Sequence, residues 1–247
     1  MEYKVRYASL SEEGDRSYNE DGTLELEQQG EYLFALADGL GGQGNGQIAS
    51  ETVLQSVGEF FVRRQERSEE EPFVQEAFRY AQQQLCEKKA GNAYGDMMTT
   101  LVLLYLGEQI CWGHIGDSRS YYFKEGRLVS QTLDHSVPQV LVYANEITPE
   151  EIRYHPDRNR LLKAMGKVWE RGDEFVLSEP VELEGKQVFL LCSDGFWEHI
   201  VEERMEFLLA QSESPEIWLH LMEQEIQANG QGHNMDNYSA VAVWIDG

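Results

Sequence analysis

The stretch Phe34-Ala35-Leu36-Ala37-Asp38-Gly39-Leu40-Gly41-Gly42 limits the fold of this chain more than any other. Its apolar run ends in one carboxylate, and glycines follow at once. A short apolar run bounded by glycine reads as a buried strand. Asp38 then stands at the end of a core strand, where water meets a rigid scaffold. Glycine lets the backbone turn tightly and leaves its carbonyls open to a ligand. A carboxylate on a rigid element beside bare backbone suits a hard cation, which prefers oxygen ligands. A tight turn with Asp38 as its polar cap is the other reading of the same residues.

The chain around this stretch has 247 residues, 41% of them hydrophobic and 11% aromatic, enough for a substantial core. Its formal net charge is -24, from 44 acidic and 20 basic residues. Nucleic acid and anionic membrane are poor partners for such a surface. The three cysteines, Cys86, Cys111 and Cys192, lack CxxC spacing, so neither a disulfide framework nor a zinc site is expected. Each lies in or beside an apolar run, which fits buried free thiols in a reducing compartment. The opening residues lack the apolar region of a signal peptide, and no run reaches the roughly 18 apolar residues of a membrane span. A cytoplasmic protein is expected.

Periodicity orders the rest. Residues 3–10 and 23–28 alternate as strands, followed by the strand that ends at Asp38. Apolar residues at helical spacing run from Gln47 to about Arg64, and again from Phe73 to Leu85. Gly91 to Asp96 reads as a loop. Four strand-like runs follow closely at 99–106, 109–115, 120–123 and 128–131, with hairpin signals at Gly107-Glu108 and Glu125-Gly126. Residues 134–172 are less regular and are expected to be exposed. Strands at 175–177 and 187–192, helices at 201–211 and 215–228 and a last strand at 238–245 complete one α+β domain over residues 1–247.

The carboxylates matter as a set. Asp38, Asp117 and Asp194 each close an apolar run and have glycine beside or near them; Asp236 stands two residues before the final strand; Glu20 and Asp21 share a loop. Brought to one edge, such like charges resist ionisation, and divalent cations relieve the crowding. Oxygen-only ligation points to magnesium or manganese rather than zinc. Arg16 precedes the Glu20-Asp21 pair by four residues. A guanidinium beside metals suits a phosphate, because its fork matches two oxygens. A surface ion pair with a neighbouring acid is the alternative for Arg16.

The ordered segments Arg16-Ser-Tyr-Asn-Glu20-Asp21, Ala37-Asp38-Gly39-Leu-Gly-Gly42, Thr99-Thr100-Leu, Gly116-Asp117-Ser118-Arg119, Asp134-His135-Ser136, Ser193-Asp194-Gly195 and Asp236-Asn237 resemble the metal-dependent serine/threonine protein phosphatases, the PPM or phosphatase 2C-like family, in their bacterial form. The resemblance covers nearly the whole chain. It implies a four-layer α-β-β-α sandwich of two antiparallel sheets flanked by helices, with a binuclear Mn2+ or Mg2+ centre. It implies that Asp38 bridges both ions, that Asp194 and Asp236 hold one, and that Asp21 or Glu20 and the Gly39 carbonyl hold the other. Asp117 matches a residue that, with Asp194, binds a third and weaker ion. Arg16 matches the phosphate-binding arginine, and residues 137–172, around His155-Pro156-Asp157-Arg158-Asn159, match a variable flap that influences substrate choice.

The implied reaction is in-line attack on phosphoserine or phosphothreonine by a hydroxide bridging the metals, with Arg16 and the metals stabilising the phosphoryl oxygens. The implied setting is a monomer acting on phosphoproteins beside a cognate serine/threonine kinase. Two departures stand out. Leu40 occupies the place where some relatives carry histidine, and Met97-Met98-Thr99-Thr100 lacks the glycine usual before the two threonines. His114 and His135 are candidate acids, or structural histidines beside strands. A same-fold phosphatase for small phosphoesters and a catalytically silent binding module are the competing functions. A calcium-binding protein lacks support, since no loop has regularly spaced ligands closed by Glu.

Overall fold

The computed structural model describes residues 3–41, 44–63, 72–90, 97–170 and 172–247. The predicted loop at 91–96 and the glycine at 42 lie outside them. Strands β1 (Lys4–Glu12), β2 (Asp21–Gln28) and β3 (Glu31–Leu40) open the chain, followed by helices α1 (Asn45–Val62) and α2 (Phe73–Ala90). Next come β4 (Met98–Thr99), β5 (Leu101–Leu106), β6 (Ile110–Ile115), β7 (Arg119–Lys124) and β8 (Arg127–Gln131). Helix α3 (Val137–Tyr143) and a 3-10 turn at Pro149–Tyr154 occupy the irregular middle. The chain ends with β9 (Val176–Leu177), β10 (Lys186–Cys192), α4 (Asp194–Trp197), α5 (Glu202–Leu209), α6 (Pro215–Gly230) and β11 (Tyr238–Asp246). The short helix α4 went unread in the sequence, because four residues are too few to show a period.

Two antiparallel sheets result. One runs β1-β11-β10-β7-β8, and the other β2-β3-β5-β6-β9 with β4 paired to β3. Their central strands are buried on both faces, and side-chain alternation sorts them into three cores. In β3, Leu33, Ala35 and Ala37 face α1 and α2, while Phe34 and Leu36 face the opposite sheet. In β11, Tyr238, Ala240, Ala242 and Trp244 join the layer with α5 and α6, while Val241, Val243 and Ile245 point between the sheets. The layers are therefore helix, sheet, sheet, helix, as the resemblance implied. Each fully buried Leu or Phe contributes about 1.5–3 kcal/mol. A one-residue slip in these strands would exchange the two faces, so packing holds the register.

The middle segment is better anchored than its irregular sequence suggested. Ile152 belongs to one core and Met165 to another. Backbone bridges pair Thr99 with Met165 and Ser136 with Leu161. Side-chain pattern cannot reveal such bridges, because backbone amides make them. The three cysteines are free, with Cys192 buried. Among the described residues, no helix is long and apolar enough to cross a membrane.

Candidate metal centre

The β2–β3 register sets Asp21 directly opposite Asp38. One residue on, the Gly39 amide donates to the Glu20 carbonyl at 3.1 Å. Here β3 passes so close to the start of α1 that a Cβ on Gly39 would lie 2.2 Å from the Gly46 carbonyl oxygen. Only glycine permits that approach. Thr100 secures the other side of Asp38: its amide donates to the Asp38 carbonyl at 2.9 Å, and its hydroxyl accepts from the Asp38 amide at 2.9 Å. Thr99 donates its hydroxyl to the same carbonyl at 2.7 Å. The two threonines thus clamp the backbone that carries Asp38, a role their place in the sequence did not announce.

The second sheet brings the other carboxylates. Asp194 begins α4 at the end of β10, and Ser193 just before it donates its hydroxyl to Asp21 at 2.8 Å. Asp236 precedes β11. Its neighbour Asn237 accepts from the Glu20 amide at 2.9 Å and donates to the Glu13 and Tyr18 carbonyls. Asn237 therefore ties the Arg16 loop to the sheet, although only its pairing with Asp236 marked it in the sequence. Asp117 follows β6 and is buried, and its carbonyl accepts from the Trp197 indole at 2.9 Å.

The carboxylates act on one another. Burial and then the charges of Asp21, Asp194, Asp117 and Asp236 push the Asp38 carboxyl well above the usual range. Burial, followed by Asp117, Glu198, Asp236 and Asp21, does the same to Asp194. Burial raises Asp21 to about 6, and burial with the Asp134 charge raises Asp117 to about 8. Glu20 is also raised by burial, although the backbone of Gly46 and Gln47 at the start of α1 favours its charged form. By surface area Asp38 and Asp21 keep partial access to solvent.

Two features suit these oxygens to positive charge. Buried Glu20 Oε1 and Asp21 Oδ1 have no hydrogen-bond partner among the described residues, and such groups are rare in folded proteins. Every candidate side-chain donor is a carboxylate, the preference of magnesium and manganese. The residues fit such ions chemically. They do not form a closed cage: among the described residues, no three His, Cys, Asp or Glu side chains stand in ligand geometry around one point. Asp236 is held by Arg16, whose Nε and Nη2 both donate to it at 2.9 Å. The arginine therefore pairs with a carboxylate 220 residues away and not with the acids of its own loop.

Both histidines serve the backbone. His114 Nε2 meets the Leu133 carbonyl at 2.8 Å, and His135 Nδ1 accepts from the Gly116 amide at 3.1 Å. Burial, then the neighbouring His114, lowers His135 to about 3, and burial also lowers His114. Behind the acids, Arg119 lies across Trp197 with its guanidinium carbon 3.6 Å from the ring centroid and forks onto Asp134. From the middle segment, Arg158 reaches Glu198 beside Asp194.

With this geometry established, similarity to known proteins becomes specific. The family model described as protein phosphatase 2C matches residues 11–229. The serine/threonine protein phosphatase PstP of Mycobacterium tuberculosis is 30% identical over 252 residues, covering 97% of this chain and 45% of that protein. The chain thus spans about half the length of that curated relative. Protein phosphatase PhpP of Streptococcus pneumoniae is 34% identical over 175 residues, 69% of each chain. The solved catalytic domain of PstP in complex with two manganese ions superposes with a TM-score of 0.79 at 26% identity, covering 99% of this chain and 100% of that one. Matching motifs, a matching sandwich and a family model spanning most of the residues lead to one conclusion: the chain belongs to the protein phosphatase 2C family.

Proposed function

We propose that the chain is a manganese- or magnesium-dependent phosphatase that hydrolyses phosphoserine and phosphothreonine in proteins. The observation that carries this reading is the meeting of Asp21, Asp38, Asp117, Asp194 and Asp236, from separate elements of both sheets, with orphaned buried oxygens among the acids. Asp38, Asp194 and Asp236 would hold one ion, and Asp38 with Asp21 or Glu20 and the Gly39 carbonyl would hold a second. Asp117 with Asp194 would hold a third. When bound, the ions supply an acidified water nucleophile and positive charge opposite the phosphoryl oxygens.

The remaining roles belong to the chain. Ser193 orients Asp21, and Thr100 fixes the Asp38 backbone. Arg16 holds Asp236 through two parallel bonds. With Asp236 engaged by a cation, the same fork would suit two phosphoryl oxygens. Each histidine spends one ring nitrogen on a backbone group, and burial lowers the pKa of both, which disfavours the imidazolium that a general acid would need. Residues 137–172 would form the flap over the substrate, with Arg158 at its inner edge.

A monomer in the cytoplasm, opposed by a serine/threonine kinase, completes the reading. The deciding experiment is hydrolysis of phosphothreonine peptides and of p-nitrophenyl phosphate with manganese, with a chelator, and with Asp38→Asn. Manganese-dependent turnover of the peptide, lost in the variant, is expected. Turnover of small esters alone would favour a small-molecule phosphatase. No turnover despite bound manganese would favour a silent binding module.

A further inference from the structure

A cavity of about 460 Å³ opens at the sandwich edge where the terminal strands β8 and β9 lie. Trp112, Tyr122, Leu177 and Val181 line it, with the imidazoles of His114 and His135. The two imidazoles stack face to face, 4.7 Å apart and 3° from parallel, and Trp112 and Tyr122 stand 5.7 Å apart. Val129, Leu133, Tyr143 and Val176 also belong to the lining, yet each is exposed. Four large apolar side chains around one opening are costly to leave wet. A cavity of this size with aromatic walls and a few polar groups has the proportions of a small-molecule site.

The polar groups narrow the ligand. His114 Nε2 is spent on the Leu133 carbonyl, which leaves Nδ1 as an acceptor. His135 Nδ1 accepts from the Gly116 amide, so its ring carries the proton on Nε2 and has a donor to offer. Neither ring is a cation in this arrangement. Among the described residues no Lys or Arg lines the cavity, and Glu179 is the one charged lining residue. A phosphate or carboxylate therefore finds no counter-charge there, in a chain of net charge -24.

His135 also joins the cavity to the carboxylate centre. Its amide donates to the Gly116 carbonyl at 2.9 Å while its ring accepts from the Gly116 amide, and Asp117 is the next residue. The His135 carbonyl in turn accepts from the Leu162 amide at 2.8 Å, within the middle segment. One residue thus touches the cavity, the Asp117 loop and the segment over the site.

We propose that this cavity is a binding site for a flat, uncharged heteroaromatic molecule bearing both a donor and an acceptor, and that its occupancy is felt at Gly116 and Asp117 through His135. Binding and its effect on those amides do not depend on the phosphatase reading, so either idea can fail alone.

The probe is benzimidazole, titrated into the 15N-labelled chain in magnesium buffer, with cyclohexanecarboxylate as the anionic, non-aromatic control. Expected are saturable shifts of the Trp112 indole N–H, the β8 and β9 amides, and the Gly116 and Asp117 amides. Val129→Trp places a large ring at the mouth from an exposed edge position and should abolish all of them, with the rest of the spectrum retained. Val176→Trp repeats the block from the other sheet should the first variant fold poorly. Absence of saturation, equal response to the control, or shifts that survive in the folded blocking variants would overturn the site. Saturation confined to the cavity, with Gly116 and Asp117 unmoved, would overturn the coupling and the proposal as stated.

Discussion

Asp134→Ala would leave a guanidinium stranded behind the carboxylate centre. The Arg119 and Asp134 side chains are only 6% and 1% exposed. Arg119 Nε and Nη2 donate to the two Asp134 oxygens at 2.8 and 2.9 Å. After truncation Arg119 keeps the Tyr121 hydroxyl at 3.2 Å and the Trp197 face, and its next carboxylate, Glu202, stands at 3.7 Å. Glu202 is already committed to Arg153 at 2.6 Å. Breaking one half of a buried pair costs about 3–5 kcal/mol. The surviving contacts place this site near the lower end, about 3 kcal/mol. In a chain of this size each kcal/mol moves the melting temperature by roughly 2–4 °C, so a fall of about 6–12 °C is expected. Urea unfolding followed by far-UV circular dichroism, at fixed manganese, measures it. Arg119→Met combined with Asp134→Leu removes both charges and should recover most of the loss. A single-variant cost below about 1 kcal/mol with an unchanged urea slope, or a double variant no better than the single, would refute the reasoning.

Other expectations follow from the same geometry. Arg16→Ala should lower kcat/KM on a phosphothreonine peptide about 10- to 100-fold, since hydrogen bonds to charged groups contribute about 1.5–3 kcal/mol; unchanged kcat/KM would remove Arg16 from substrate binding. Gly39→Ala forces a Cβ against the Gly46 carbonyl and should cost about 1–3 kcal/mol of stability, read by thermal melting; a neutral result would mean that α1 can retreat. In chelator, stability should fall as pH rises. Asp21 is raised to about 6 and Asp117 to about 8, so the folded chain binds protons that the unfolded chain, with carboxylates near ~4, has released. Unfolding free energy then declines between about pH 4 and about pH 8, and urea midpoints that rise over this window would contradict it. Manganese at about 100 times its dissociation constant should restore about 2.7 kcal/mol at the upper end, and calorimetry with and without the ion tests that.

Much of this protein was legible in its residues, for physical reasons that particular segments illustrate. Strands β3, β5, β10 and β11 could be read because a two-residue period and burial on both faces leave continuous apolar runs. The glycines after Asp38 marked a backbone approach that Gly46 then makes concrete. Carboxylates at strand ends could be picked out because a charge there has either solvent or a cation to satisfy it. Order along the chain could not say who meets whom. Asp21 faces Asp38 because of hairpin register, and Arg16 finds Asp236 because β11 lies beside β1. The stacked histidines, the Thr100 clamp and the bridge from Met165 to Thr99 rest on contacts between distant backbone atoms. Local sequence sets dihedral preference and periodicity, whereas such meetings depend on how two sheets stack, and the tertiary structure alone decides that.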